Sequence, residues 1–127
     1  MLVVTNQYES EAQQRWPDTF AQSQAHLGKL SPTERGQIIE DGNQITRELA
    51  SMLNAKVAAD APEVQELIDR HYKWVCNFWT PTQDSYIALG QMYLDDERFT
   101  AHYDEFESGL ANFIRDAILR YASSNLV

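Results

Sequence analysis

The stretch APEVQELIDRHYKWVCNFW, residues 61–79, decides the fold. At 100° per residue, Val64, Leu67, Ile68, His71, Tyr72, Trp74, Val75, Phe78 and Trp79 fall on one arc of about 160°, against the roughly 100° of a helix lying on a single core. So wide an arc predicts a central helix touching more than one neighbour. Gln65, Glu66, Asp69, Arg70, Lys73 and Asn77 occupy the opposite side. There Glu66 stands one turn before Arg70 and Asp69 one turn before Lys73, the acid-first order that supports an exposed helical face. Asp60 and Glu63 frame the start as a capping pair with Pro62 in the first turn, and Thr80-Pro81 ends the run.

On the N-terminal side, Ser31-Pro32-Thr33-Glu34 has the Ser-x-x-Glu capping spacing, with proline at the first helical position. A long helix to about Asn54 follows, with Ile38, Gly42, Ile45, Leu49, Met52 and Leu53 along its buried side. On the C-terminal side, in QDSYIALGQMYL, Tyr86, Ile87, Leu89, Met92, Tyr93 and Leu94 point almost all round the axis, which predicts a helix buried on every face. Gly90 inside it is expected to permit a close helix crossing or the approach of another group. The acidic cluster Asp95-Asp96-Glu97 turns the chain into a short helix, RFTAHYDEF. A last helix carries the stripe Leu110, Phe113, Ile114, Ala117, Ile118 and Tyr121, with Ser108 placed to cap it. No stretch alternates with period two, so the domain is predicted to be all-α.

Residues 1–30 are thinner in core-forming side chains: Tyr8, Ala12 and Trp16 share one face, Phe20 and Leu27 another, with Pro17 between and Gly28 after. They are expected to form a helical lid, loosely docked without ligand and closing over a cleft when it fills, on a helical core of residues 31–127 within one domain.

Composition narrows the function. The charge is −9, from 19 acids against 10 scattered bases, so binding to nucleic acid by these residues is not expected. Cys76 is the only cysteine, which excludes an internal disulfide framework and a multi-cysteine zinc site. The opening MLVVTNQYES has neither the basic nor the apolar region of a signal peptide, and no membrane-spanning run occurs, so a cytoplasmic protein is expected. His71 and His102 lack a second ligand one turn away and read as core or hydrogen-bonded histidines; neither metal nor cofactor is expected. Cys76, on the flank of the arc beside Tyr72, reads as a packing residue. The acids at 95–97 lack the spacing of a calcium loop. No catalytic motif is present, and an enzyme is not predicted.

The aromatics remain. Trp74, Phe78, Trp79, Tyr86, Tyr93, Phe99 and Tyr103 crowd a short span, and their polar tips cost free energy to bury unpaired. A core could use them; so could a pocket for a large, flat, partly polar molecule. The candidate ligand-binding set is Trp74, Phe78, Trp79, Tyr86, Tyr93 and Tyr103, with Trp16 and Phe20 from the lid. The competing reading is a helical protein–protein interaction module with an acidic surface.

LGQMYLDDERFTAHYDEFESGLANFIRDAI, with RHYKW upstream and YESEAQQRWPDT near the start, resembles the TipAS family of antibiotic-recognition domains, the effector-binding halves of certain MerR-type regulators. The most specific parts are Leu89-Gly90-Gln91-Met92-Tyr93, the Asp96-Glu97-Arg98-Phe99 turn and Gly109-Leu110-Ala111. The resemblance implies a globin-like all-α fold without haem, whose cleft takes bulky peptide-like antibiotics such as thiopeptides or albicidin. It also implies either signalling to an N-terminal winged helix-turn-helix or sequestration of the drug by a free-standing monomer. The sequence begins where such an effector domain begins, so an excised domain, a short internal-start product or a sequestering protein is expected. The thiopeptide-inducible branch carries a cysteine before its Leu-Gly that can add to the drug; here that position is Ala88, and covalent capture is not carried over.

Overall fold

The computed structural model describes residues 28–126. Among them are five helices and no strand: α1 (Pro32–Asn54), α2 (Pro62–Val75), α3 (Gln83–Asp95), α4 (Glu97–Asp104) and α5 (Leu110–Asn125). The all-α expectation is met. The expected lid of residues 1–30, with Tyr8, Trp16 and Phe20, lies almost wholly outside the described residues.

Helix α1 begins as its sequence dictates. Ser31 Oγ accepts from the Glu34 backbone N–H and the Glu34 carboxylate accepts from the Ser31 N–H, both at 3.1 Å. Its buried face starts only at Ile45 and continues through Thr46, Leu49 and Ala50, so the first three turns stand clear of the core. Helix α3 is likewise capped at both ends of a box, by Thr82 and Ser85.

Expectations at three helix ends are corrected. The predicted helix over residues 61–79 stops at Val75. From there the backbone tightens, with Phe78 N–H bonding to the Val75 carbonyl at 2.8 Å, and the Asn77 side chain takes the Trp74 carbonyl at 3.0 Å, a local bond that competes with helix continuation. The start of α2 carries no side-chain cap: Ala61 holds the cap position, so Asp60 does not do that work. At α5 the cap is Gly109, left-handed at φ 84°, where a side chain would be strained, and Asp104 Oδ1 accepts from the Ala111 N–H at 3.1 Å in the role expected of Ser108.

The helix that organises the core is α5, which packs against all four others, most extensively against α3. Leu110, Ile114 and Ile118 from α5, Val64 and Ile68 from α2, Leu49 from α1 and Tyr86 from α3 are fully buried. Each of the aliphatic side chains contributes roughly 1.5–3 kcal/mol by leaving water. Polar ties lock the crossings: Tyr121 donates to Asp69 at 2.6 Å, and Gln83 bridges the carbonyls of Ala122 and Leu126. Arg70 pairs with Glu48 of α1 at 2.9 Å and Lys73 with Asp69 at 2.7 Å.

Helix α3 is not buried all round. Tyr86, Gly90 and Tyr93 form its core face, Ile87, Leu89, Met92 and Leu94 are half-buried, and Ala88 and Gln91 are exposed. Gly90 does permit a close crossing: a Cβ there would meet Ile118 at 3.2 Å. Asp96 caps α4 by accepting from the Arg98 N–H, and the Arg98 guanidinium grips the same carboxylate with two bonds. No helix among the described residues is long and apolar enough to cross a membrane.

Candidate functional site

The aromatics divide into two groups. Tyr86, Tyr93 and Tyr103 are core residues, exposed by 0%, 5% and 8%. Trp74, Phe78 and Trp79 are half-buried at the C-terminal end of α2 and in the turn beyond it. Trp79 packs on the core. Trp74 lies across α1: its indole N–H donates to the Ile38 carbonyl at 2.7 Å, and its six-membered ring covers Gly42 so closely that a Cβ there would sit 2.7 Å from it. Phe78 stands edge-on to Trp74, with ring centroids 5.1 Å apart, and outside the packed core. Trp16 and Phe20 lie outside the described residues.

The buried phenols find their partners through one imidazole. His71, the buried polar member of α2, has Nδ1 2.7 Å from the Tyr86 hydroxyl and Nε2 3.5 Å from that of Tyr93. The short contact suits the phenol donating to Nδ1, which leaves the ring proton on Nε2 facing the Tyr93 oxygen. Tyr103 hydrogen-bonds to Tyr93 in turn, with rings 4.8 Å apart. Burial holds the His71 ring neutral, with its pKa lowered to about 4, and pushes the Tyr103 phenol up to about 12. Tyr86 and Tyr93 are driven up further by the same cause. His71 is therefore a hydrogen-bonded core histidine, as its sequence context indicated, and nothing in the chain of phenols is poised for acid–base work near neutrality.

Above this chain, α1, α2 and α4 leave a cavity of about 20 Å³, lined by Ile39, Gly42, Asn43 and Thr46, by His71 and Trp74, and by His102 and Tyr103. The space suits one water. It is far too small for a bulky peptide. Asn43 Oδ1 is buried beside the cavity with no hydrogen-bond partner among the described residues.

Asn43, Thr46 and the cavity face of Gly42 were not in the sequence-derived set. The signal was faint: a glycine followed by an asparagine interrupts the apolar spacing between Ile38 and Ile45, which marks a gap in packing without saying what fills it. Cys76 is half-buried and free, next to Tyr72. Among the described residues no cluster of three or more His, Cys, Asp or Glu could hold a metal ion.

A family model for the TipAS antibiotic-recognition domain matches residues 8–121. The transcriptional activator TipA of Streptomyces coelicolor is 30% identical over 120 residues, covering 92% of this chain and 47% of TipA. The regulator SkgA of Caulobacter vibrioides is 28% identical over 91% of this chain and 44% of its own length. The activator mta of Bacillus subtilis is 32% identical over 85 residues, 66% of this chain. The chain thus spans about half the length, or less, of the curated relatives it matches. Among solved structures, TipAS of Streptomyces lividans in complex with nosiheptide, from a thiopeptide antibiotic multidrug resistance system, superposes with a TM-score of 0.83 at 30% identity, covering 94% of this chain and 85% of that one. With a matching family model over most of its length and the same helical architecture, this chain belongs to the TipAS family of antibiotic-recognition domains.

Proposed function

We propose that this chain binds a bulky peptide-type antibiotic of the thiopeptide or albicidin kind, one molecule per monomer, and reports or sequesters it without chemical conversion. Membership in a recognition family makes the activity binding and not turnover. The observation that carries the ligand class is the structural likeness, over nearly the whole chain, to a domain solved with nosiheptide.

In this reading Trp74 and Phe78 form one aromatic wall of the site, with Trp79 behind them. Tyr86, Tyr93 and Tyr103 fix that wall from beneath through His71, and Trp16 and Phe20 are further candidate ligand contacts. Ala88, exposed on α3, offers no thiol, so the complex is non-covalent. The curated relatives are helix-turn-helix regulators in which the matched part is about half or less, which supports a role as the drug-sensing part of a cytoplasmic transcription regulator. The charge of −9 makes direct contact of this segment with DNA unfavourable, and DNA would be reached only through a separate half.

Titration with nosiheptide, followed by tryptophan emission and by calorimetry, is the test. Saturable binding at one drug per chain, released intact on unfolding, is expected. No heat and no spectral change up to the solubility limit of nosiheptide and of a second thiopeptide would rule out the thiopeptide reading.

A further inference from the structure

We propose that the gap beside Asn43 is a single-donor subsite, which accepts one N–H or O–H of the bound ligand, from a primary amide or hydroxyl, in place of a water. It rests on the drug-binding reading for the identity of the ligand, but its geometry stands independently. Asn43 Oδ1 is a buried acceptor without a partner among the described residues. The nearest donors do not serve it. Thr46 donates its hydroxyl to the Gly42 carbonyl at 2.9 Å, Trp74 its indole N–H to Ile38, and His71 is held between Tyr86 and Tyr93. Tyr103, which accepts from Tyr93, and His102 also line the cavity, and neither reaches the Asn43 oxygen within hydrogen-bond distance.

A buried acceptor with no internal donor in reach carries a standing free-energy cost unless a water or a ligand supplies the proton. The adjoining cavity of about 20 Å³ is where that donor fits, and it admits a small polar head and excludes a ring. The half-exposed Ile39 and the edge of Trp74 flank it, so a ligand lying along the aromatic wall would pass its opening. A group with only acceptors, such as an ester or a tertiary amide, would meet the Asn43 oxygen with no proton to share. The subsite therefore selects for a donor at one defined point of the ligand.

The probes are acetamide and N,N-dimethylacetamide, added to 15N-labelled full-length chain at rising millimolar concentration. Acetamide is expected to give saturable shifts of the Asn43 side-chain amide, the Gly42 N–H and the Trp74 indole N–H. N,N-dimethylacetamide, which has the same carbonyl and no N–H, is expected to leave them in place. Both Asn43→Leu and Asn43→Ala should abolish the acetamide response while melting no lower than the wild type, since they remove an unpaired acceptor; two variants guard against a leucine too large for the gap. Equal shifts with the two amides, or an acetamide response retained in both variants, overturns the subsite. Nosiheptide separates the two readings. If the wild type binds it and both variants bind within twofold as well, the subsite is wrong and the drug-binding proposal stands. If nosiheptide does not bind but acetamide gives the expected pattern, the subsite stands and the ligand class is wrong. Binding weakened tenfold or more in both variants supports the two together.

Discussion

His71 Nδ1 and the Tyr86 hydroxyl meet at 2.7 Å in the core, joining α2 to α3 through the one buried imidazole among the described residues. Because burial holds the His71 pKa down to about 4, against about 6.5 for a free ring, the unfolded chain takes up a proton in that interval that the folded chain refuses. The sign follows: this group costs no stability at pH 7, and stability falls as pH drops from about 6.5 to about 4, by roughly 3 kcal/mol in all. Asp69, whose carboxyl is held low by Lys73 and Tyr121, loses its contribution in a lower window, below the ordinary carboxylate pKa, and does not mimic the effect. Urea midpoints between pH 7 and pH 4 should slope in the wild type and slope much less in His71→Gln. Parallel curves would show that the histidine is not held neutral.

Two glycines of α1 should respond in opposite directions to alanine. At Gly36 a Cβ meets nothing within 4 Å, so Gly36→Ala should stabilise by about 0.5–1 kcal/mol through helix propensity alone. At Gly42 it would lie 2.7 Å from Trp74. The indole must move, and its bond to the Ile38 carbonyl goes with it. Gly42→Ala should cost about 1–3 kcal/mol despite the better propensity, and it should change the tryptophan emission of the folded protein. Thermal melts of the two single variants decide it; a stabilised Gly42→Ala would mean that Trp74 yields freely.

The Gly90 crossing makes a testable pair. An alanine Cβ would meet the Cγ2, Cβ and Cδ1 of Ile118 at 3.2–3.3 Å, and Ile118 is fully buried, with little room to retreat. Gly90→Ala should therefore destabilise, by about 1–2 kcal/mol net of its helix propensity. In Ile118→Ala the clashing atoms are largely gone, so adding Gly90→Ala there should stabilise. A coupling of at least about 1 kcal/mol in the cycle is expected, and simple additivity would place the crossing elsewhere.

What the sequence made legible follows from which signals are local. The capping spacing at Ser31, the stripe of α5 and the small residue at Gly90 each depend on near neighbours or on one periodicity, and each reads correctly or nearly so. The end of α2 does not: whether the helix continues past Val75 depends on the competition between Asn77 and the backbone, which hydrophobic spacing ignores. Carrying the helix on to Phe78 and Trp79 made α2 look longer than it is, and its wide arc drew attention from α5, the helix that touches all the others. The aromatic set was found as a cluster, but its division was not legible. Tyr86 and Tyr93 find a partner in His71 on another helix, and Tyr103 finds one in Tyr93, and no local pattern encodes those ties. Asn43 was missed because an exposed-looking polar residue gains meaning only from the helices that close over it.

That division of the aromatics sets the last expectation. Tyr93 is 5% exposed and belongs to the His71 chain, so Tyr93→Ala should cost about 3–5 kcal/mol of stability, as truncation of a core aromatic does. Phe78 stands outside the packed core and touches Trp74 edge-on, so Phe78→Ala should cost less than about 1 kcal/mol. Trp74 falls between them, since its truncation removes ring contacts on Gly42 and the bond to Ile38. Binding should rank differently. If the outward rings form the ligand wall, Phe78→Ala and Trp74→Ala each weaken nosiheptide by more than roughly 2 kcal/mol, the scale of an interface hot spot. Tyr93→Phe keeps the ring and loses only the hydroxyl, and it should bind within a few fold of the wild type wherever it remains folded. Calorimetric titration of the three variants, each at a temperature well below its own melting point, gives the comparison. Binding lost in Tyr93→Phe but unchanged in Phe78→Ala and Trp74→Ala would move the ligand away from the α2 turn and onto the buried chain, which would then have to open to admit it.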